Sequence, residues 1–542
     1  MKKSIIVPVM LLCLFALPVW GATAEKVPLG TAETVSKDVE LESGNWSALV
    51  GRYPMPYVAT NGKYEQAPST ETLSKWWETM GDPVLTGLIR EALEKNRDLA
   101  AARSKVTEAR AQLGVSKSAI LPWLDNSNSY GRTQAGKNNS YSGSQVGPID
   151  YYSTGLDASW EIDLFGREKY NIAASKASLQ AQYGMLYNTW VSLSSEVAID
   201  YISLRTLQQR LRVAEKNMAL QQDTLDLLQS QYDSGLKDEL ALNQAQYTLE
   251  QTQSTIPPIR TSIEQMMNLL SILTGEVPGS LEKELGEYRP LPKPQLLNLM
   301  GIPADALRQR PDIYVAERQL VARIASKKAA KKALWPKLSL IGTIAFKTVS
   351  SPDGILSNDG KDFTIGPSLS LPIFHGNQIR SNIKVQTARQ EQALATYEQT
   401  VLNAVSEVRN ALTAETQERE RNATLNRGVK AARSAYEIAQ DQYINGLTDF
   451  NNVISAQSTL LNMEEQYTIS EGEMTSNIIR IYKAVGGGWG PMAVEDIQKI
   501  NGNAGDNIPS ASSIKEETRE TSISDESLAY LEQIRKEVKA GK

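Results

Sequence analysis

One histidine, His375, and one cysteine, Cys13, are the whole stock of imidazole and thiol in this chain. Those two groups most often ligate zinc, shuttle protons near neutral pH or act as nucleophiles. With one of each, a Cys-rich metal site, an iron–sulfur cluster and a disulfide framework are excluded, and most acid–base catalytic sets go with them. No glycine-rich phosphate loop, nucleophile–base pair or metal-ligand spacing accompanies the carboxylates. An enzyme is therefore not expected, nor a metal or other cofactor. His375 falls at a strand-to-helix corner, where a structural role is expected of it. Met266-Met267 alone is too little for a methionine-lined metal path. Lys and Arg number 57 against 62 Asp and Glu, a net charge of -5, so the basic surface of a nucleic-acid binder is missing. What remains is the chemistry of polar side chains around turns. Tyr232, Gly235, Leu236 and Asp238 mark one such place; Tyr443, Gly446, Leu447 and Asp449 mark another.

These two places sit in matched surroundings. QSQYDSGL at 229–236 answers QDQYINGL at 440–447, and Ala245-Gln246 answers Ala456-Gln457. Gly275 and Gly486 keep the same offset. Upstream, Ile120-Leu121-Pro122 answers Leu334-Trp335-Pro336, and Leu164-Phe165-Gly166 answers Ile373-Phe374-His375-Gly376. The 542 residues are too many for one core and read as two copies of one unit. The expected divisions are a signal peptide at 1–24, an extended segment at 25–70, a first repeat at 71–290, a second at 291–490 and a polar tail at 491–542.

Each repeat carries one very long helix. Leu179, Tyr183, Leu186, Trp190, Leu193, Val197, Tyr201 and Leu204 follow the three–four spacing of a coiled-coil seam, as do Tyr397, Val401, Val405, Val408 and Leu412. Phe165 to Gly235 and Phe374 to Gly446 would each run about 100 Å as helix. Gly235 and Gly446 suit left-handed caps, and Asp238 and Asp449 suit the starts of returning helices. Pro257-Pro258 should break the first returning helix. An ordinary dimeric coiled coil would explain the helices alone.

The strands argue otherwise. Phe363, Ile365 and Leu369 alternate with Thr364, Gly366, Ser368 and Ser370, an alternation that continues through Leu371 and Ile373. Leu338, Leu340, Ile344 and Phe346 alternate with Lys337, Ser339, Thr343 and Lys347. Tyr152, Leu156, Ala158, Trp160 and Ile162 alternate with Ser153, Asp157, Ser159 and Glu161; Trp123 to Arg132 is weaker. Such segments have the length of a tilted membrane-spanning strand. Four make an open sheet whose edges lipid forbids, so closure must come from other copies. Trp335, Trp123, Trp160 and Tyr152 are candidates for interfacial aromatic girdles, against plain packing. Arg323, Lys327, Lys328, Lys331 and Lys332 read as a solvated helix face or a basic patch near the barrel.

Lys2-Lys3, the apolar run Ile5 to Leu17 and the small residues Gly21 to Ala24 follow the order of a secretory signal. Bulky Leu12 before Cys13 disfavours lipid attachment there. Asn501 to Ser524 is polar, and Glu526 to Lys539 reads as a short helix.

Trp76-Trp77, Gly81-Asp82-Pro83 and Asn96-Arg97-Asp98-Leu99 resemble the opening segment of the TolC-type outer-membrane efflux proteins, in particular the OprM/NodT branch. Arg310-Pro311-Asp312-Ile313, Trp160 to Gly166 and the two Tyr-x-x-Gly-Leu turns are similar to further family motifs. The resemblance implies a mixed α/β membrane protein. Four strands per chain would contribute to a trimeric twelve-stranded outer-membrane barrel, continued by a long periplasmic α-helical barrel. It implies passive export of drugs or other small toxic solutes, with a periplasmic adaptor, an inner-membrane resistance–nodulation–division type pump and outer-membrane lipid as partners. Protein secretion or metal-ion export within the family, and a non-conducting periplasmic scaffold, are the alternatives. The resemblance places Tyr232, Gly235, Leu236, Tyr443, Gly446 and Leu447 at the periplasmic tip, in contact with the adaptor. The family's gate positions fall on Asn451 and Ser455, which lack its apolar and acidic residues; Asp449 and Asn452 are the neighbouring gate candidates.

Overall fold

The computed structural model describes residues 75–134, 148–235, 239–292, 310–349 and 360–488. The expected signal with Cys13, the 25–70 segment, the 491–542 tail, most of both strand-joining loops, Leu236 and Asp238 lie outside the described residues.

A 3-10 turn at Trp76–Met80 leads into α1 (Pro83–Lys95) and α2 (Arg97–Ser118). Strands β1 (Trp123–Thr133) and β2 (Ile149–Ile162) follow, then α3 (Arg167–Asp233) and α4 (Glu239–Thr274). After one helical turn at Glu282–Leu285 the series runs again as α5 (Pro311–Lys332), β3 (Lys337–Val349), β4 (Lys361–Ser370), α6 (Gln378–Ile444) and α7 (Phe450–Ala484). Helices α2 and α5 both have 22 residues, and α3 and α6 both have 67. The longer pair therefore spans about 100 Å each.

Local chemistry sets where these helices begin and end. Asp82 caps α1: its Oδ1 accepts from the Val84 and Leu85 amides, with Pro83 in the first turn. At the other end of a hairpin, Gly275 has φ +76, and the Glu276 amide donates back to the Ser271 carbonyl. That pairing satisfies orphan carbonyls only through a left-handed residue. Between the caps, the seam residues Leu186, Trp190, Leu193, Val197, Tyr201 and Leu204 are buried.

The largest core gathers at this end of the hairpins. Trp76, α1, the middle of α3, the end of α4 and the end of α7 enclose it. Trp76 stacks on Tyr482 with ring centroids 5.3 Å apart, and the Tyr201 hydroxyl donates to Asp82 Oδ2 at 2.7 Å.

The expected break at Pro257-Pro258 does not occur: α4 is continuous through both prolines. Prolines 257 and 258 remove the amides that would bond the Gln253 and Ser254 carbonyls. All four residues are exposed, while Thr252, Ile256 and Ile259 are buried. The freed carbonyls therefore face water, and the buried side of the helix keeps its bonds.

The four strands form one antiparallel sheet in the order β1-β2-β3-β4. Its register sorts side chains by polarity. One face carries Leu156, Ala158 and Trp160 beside Ile344, Gly342 and Leu340, which in turn face Phe363, Ile365 and Pro367. The other carries Asp157, Ser159 and Glu161 beside Thr343, Ile341 and Ser339, with Thr364, Gly366 and Ser368 beyond. Two details differ from the sequence reading. β4 stops at Ser370, so Leu371 and Ile373 lie past the strand. Trp123 pairs with Ser159, which puts it on the polar face rather than beside Trp160.

Candidate functional site

Two regions hold the functional side chains: the sheet and the turns at the far end of the helical hairpins. On the sheet, the apolar face is exposed to the surroundings of the single chain, as the polar face is. Phe363, Ile365 and Leu369 expose 59%, 63% and 67% of their surface. In water such a contiguous apolar band is a liability; in lipid it is the requirement. Polar residues within this face are paired with one another. Asn128 Nδ2 donates to Asn126 Oδ1 at 2.5 Å, Thr154 Oγ1 donates to Asn128 Oδ1 at 2.5 Å, and Asn126 Nδ2 donates to the Gly155 carbonyl at 3.1 Å. Tyr130 and Tyr152 stack obliquely near the loop end, with centroids 5.0 Å apart.

The opposite face is charged, with acidic residues in excess: Asp125 stands directly across from Asp157, and the remaining charges are paired. Glu161 accepts from Arg167 Nη2 at 2.8 Å and meets Lys337 Nζ at 2.7 Å; Lys347 meets Asp362 at 2.5 Å. Asp157 accepts from Ser127 at 2.6 Å and Thr343 at 2.9 Å. This is the chemistry of a wetted wall. Trp335 lies outside the strands and stacks on Phe165 at 5.1 Å. His375 is exposed, its Nδ1 2.7 Å from the Phe374 carbonyl.

At the hairpin turns, the structure brings both repeats onto one small core. Leu228 of α3, Ala241 and Ala245 of α4, Ala432, Tyr436 and Tyr443 of α6, and Phe450, Val453 and Leu460 of α7 pack together. Gly235 and Gly446 both take positive φ, +68 and +71. The Gly446 amide donates to the Tyr443 carbonyl at 3.0 Å and the Leu447 amide to the Gln442 carbonyl at 2.8 Å. The two tyrosines part company here. Tyr443 is buried against Phe450, ring centroids 5.2 Å apart, whereas Tyr232 is 39% exposed. The reason is the residue across the turn: Phe450 opens α7, but Glu239 opens α4.

Of the gate candidates, Asp449, Asn451, Asn452 and Ser455 are all exposed, while Val453 among them and Gln457 just beyond are buried. Asp449 stands at the cap position of α7, but its side chain makes no capping hydrogen bond. Asn452 Nδ2 donates instead to Thr448 Oγ1 at 2.5 Å. Leu447 is 77% exposed.

Sequence reasoning missed the ties between the hairpins. Arg210 of α3 meets Glu465 of α7 at 2.5 Å, and Glu464 of α7 takes both Arg433 of α6 and Asn217 of α3. Their only sequence signal is a charge inside a helical seam.

The model of the outer membrane efflux protein family matches residues 88–276 and 302–487. The chain belongs to that family. A solvent efflux pump outer membrane protein, SrpC of Pseudomonas putida, is 30% identical over 442 residues, covering 80% of this chain and 91% of the relative. The cation efflux system protein CusC of Escherichia coli is 30% identical over 445 residues, covering 80% and 92%. Among solved structures, the outer-membrane channel OprN superposes with a TM-score of 0.72 at 30% identity, covering 80% of this chain and 98% of OprN. As an outer membrane efflux protein, the chain has a mainly helical fold with a small antiparallel sheet. No described helix is long and apolar enough to cross a membrane.

Proposed function

We propose that three copies of this outer membrane efflux protein close a twelve-stranded barrel, and that small toxic organic solutes leave passively through its lumen. The units 71–290 and 291–490 each supply two strands and one helical hairpin. The observation that carries the reading is the open four-stranded sheet with one apolar face and one charged face, both exposed in the single chain. Lipid does not tolerate bare strand edges, and eight strands would fill their own interior with side chains. Twelve leave a lumen lined by the face of Asp157, Glu161 and Lys337. The helices α3, α4, α6 and α7 extend the duct into the periplasm, where an adaptor and an inner-membrane pump deliver solutes. Tyr232, Gly235, Leu236, Tyr443, Gly446 and Leu447 form the end that meets the adaptor. Asp449, Asn451, Asn452 and Ser455 ring the axis there, a polar collar with one carboxylate per copy. Solvent and toluene efflux proteins among the relatives support organic cargo.

The test is the mass of the detergent-purified protein together with its conductance in planar bilayers. A threefold mass and discrete current steps are expected. A single-chain mass, or no step under any condition of salt, pH or voltage, overturns the reading.

A further inference from the structure

The second half of α5 carries Arg323, Lys327, Lys328, Lys331 and Lys332, and the structure divides them. Arg323 lines a cavity of about 490 Å³ bordered by the head of α3, the second half of α5 and the head of α6; the four lysines do not line it. That volume is in the range of small-molecule sites, ~300–1,000 Å³. Helix α3 brings Arg167 and Glu168 to the cavity, and α6 brings Asn382, Gln386 and Arg389. A second cavity, of about 270 Å³, shares Arg167 and Ala333 with the first and reaches Glu161, Lys337 and Ser370. Those three stand on the polar face of the sheet. The arginines therefore open on the side of that face, at the helical end of the strands.

Charge in the larger cavity does not cancel. Both oxygens of Glu168 are taken: Oε1 accepts from Arg167 Nε and Oε2 from Asn171 Nδ2, each at 2.9 Å. Arg167 also donates to Glu161 at 2.8 Å, so its own charge is matched. Arg323 and Arg389 are exposed, and their side chains meet no carboxylate among the described residues. Each copy thus keeps two uncompensated guanidinium groups on one cavity. The other repeat is an internal control. With α3 laid on α6 and α5 on α2, the places of Arg167, Arg323 and Arg389 are held by Gln378, Ala109 and Ser178. The same helices form there without any of the three arginines, so the fold does not require them.

We propose that the cavity of Arg323 and Arg389 binds anionic organic solutes on their way through the duct. This rests on the reading that the polar face lines a lumen. A guanidinium fork suits a carboxylate, which it holds by paired N–H donors. Asn382 and Gln386 add amide donors without adding negative charge. Three copies would set these arginine pairs at one level of the duct, where a positively lined wall concentrates anions. Uncharged solutes gain nothing from such a site, so it favours cargo in its ionised form.

Benzoate and benzylammonium share a ring and differ in charge, so they are the probes. In equilibrium dialysis with the detergent-purified full-length protein, benzoate should bind, and benzylammonium should neither bind nor displace it. The double variant Arg323→Gln/Arg389→Gln should weaken benzoate binding about tenfold or more. Arg323→Lys/Arg389→Lys keeps both charges and should lose less, and Lys331→Gln, outside the cavity, should change nothing. Equal binding of the two probes, or full binding by the glutamine variant, overturns the site. In planar bilayers under a potassium chloride gradient, the glutamine variant should shift the reversal potential towards cation selectivity. Current steps with no benzoate binding and no such shift overturn the site and leave the duct standing. Benzoate binding by a protein that never conducts upholds the anion site and overturns the duct.

Discussion

Asp200 is a half-buried carboxylate of α3 whose Oδ2 has no hydrogen-bond partner. Burial, and the Glu196 carboxylate one turn away, push it up to about 6. The folded chain then holds a proton that the unfolded chain releases, so stability falls as pH rises from about 4 to about 6 and stays low above that. Asp200→Asn removes the penalty. It should raise thermal stability at pH 7.5, by about 1 kcal/mol after allowing for solvent screening, and leave it unchanged at pH 4. An equal gain at both pH values would mean that the charge is not the cause. The capping glycines give a second comparison at this scale. Gly446 has open space where a Cβ would go, so Gly446→Ala meets only the left-handed backbone, about 1 kcal/mol. At Gly275 the same Cβ would stand 2.6 Å from the Lys95 carbonyl oxygen. Gly275→Ala should therefore lower the melting temperature more than Gly446→Ala does, because it must move the α1–α2 junction as well. Gly446 was legible as a cap in the sequence, and Gly275 only as the residue that answers Gly486 in the repeat. The junction behind Gly275 was not, since no local pattern reports what lies across a hairpin some 180 residues away in the chain.

At the scale of elements, periodicity carried the long helices: the three–four seam of α3 ends in a buried stripe because nothing in 167–233 interrupts it. Strand alternation likewise gave the faces of β2, β3 and β4, and failed for Trp123, where β1 is polar on both sides and only its pairing with Ser159 sets the face. Asn96 and Arg310 escaped for another reason. Asn96 Nδ2 donates to the Leu273 carbonyl at 2.9 Å and Arg310 Nη1 to the Ala484 carbonyl at 2.6 Å, so one task is done at matched places by unlike side chains. The proline pair in α4 shows the limit of a local rule. Loss of two amide donors is legible; the direction in which the freed carbonyls point is not. Because they point to water, replacing both prolines with alanine should stabilise the protein, by up to a few kcal/mol, through two restored helical bonds. Chemical denaturation of the double variant Pro257→Ala/Pro258→Ala reads this directly. A loss of stability would mean that the prolines hold a bend which the surrounding helices need.

For the whole molecule, the decisive asymmetry is between the two faces of one sheet. Ile365 and Thr364 are neighbours in the middle of β4, both exposed in the single chain. A soluble sheet would treat a charge at either place alike, since both side chains meet water. An outer-membrane barrel would not. Ile365 lies in the band of Leu340, Ala158 and Phe363, which would face acyl chains in the proposed barrel, and Thr364 lies in the row of Thr343 and Asp157, which would face its lumen. Arginine at the bilayer midplane of a barrel costs about 2–4 kcal/mol, and on a wetted wall close to nothing. Three copies in the proposed barrel would multiply the difference. Ile365→Arg should therefore lose most of its folded, heat-modifiable form in lipid vesicles under urea that leaves Thr364→Arg and the parent chain intact. Equal tolerance of the two substitutions would mean that the apolar face never meets lipid, and the barrel would have to be abandoned together with the duct built on it.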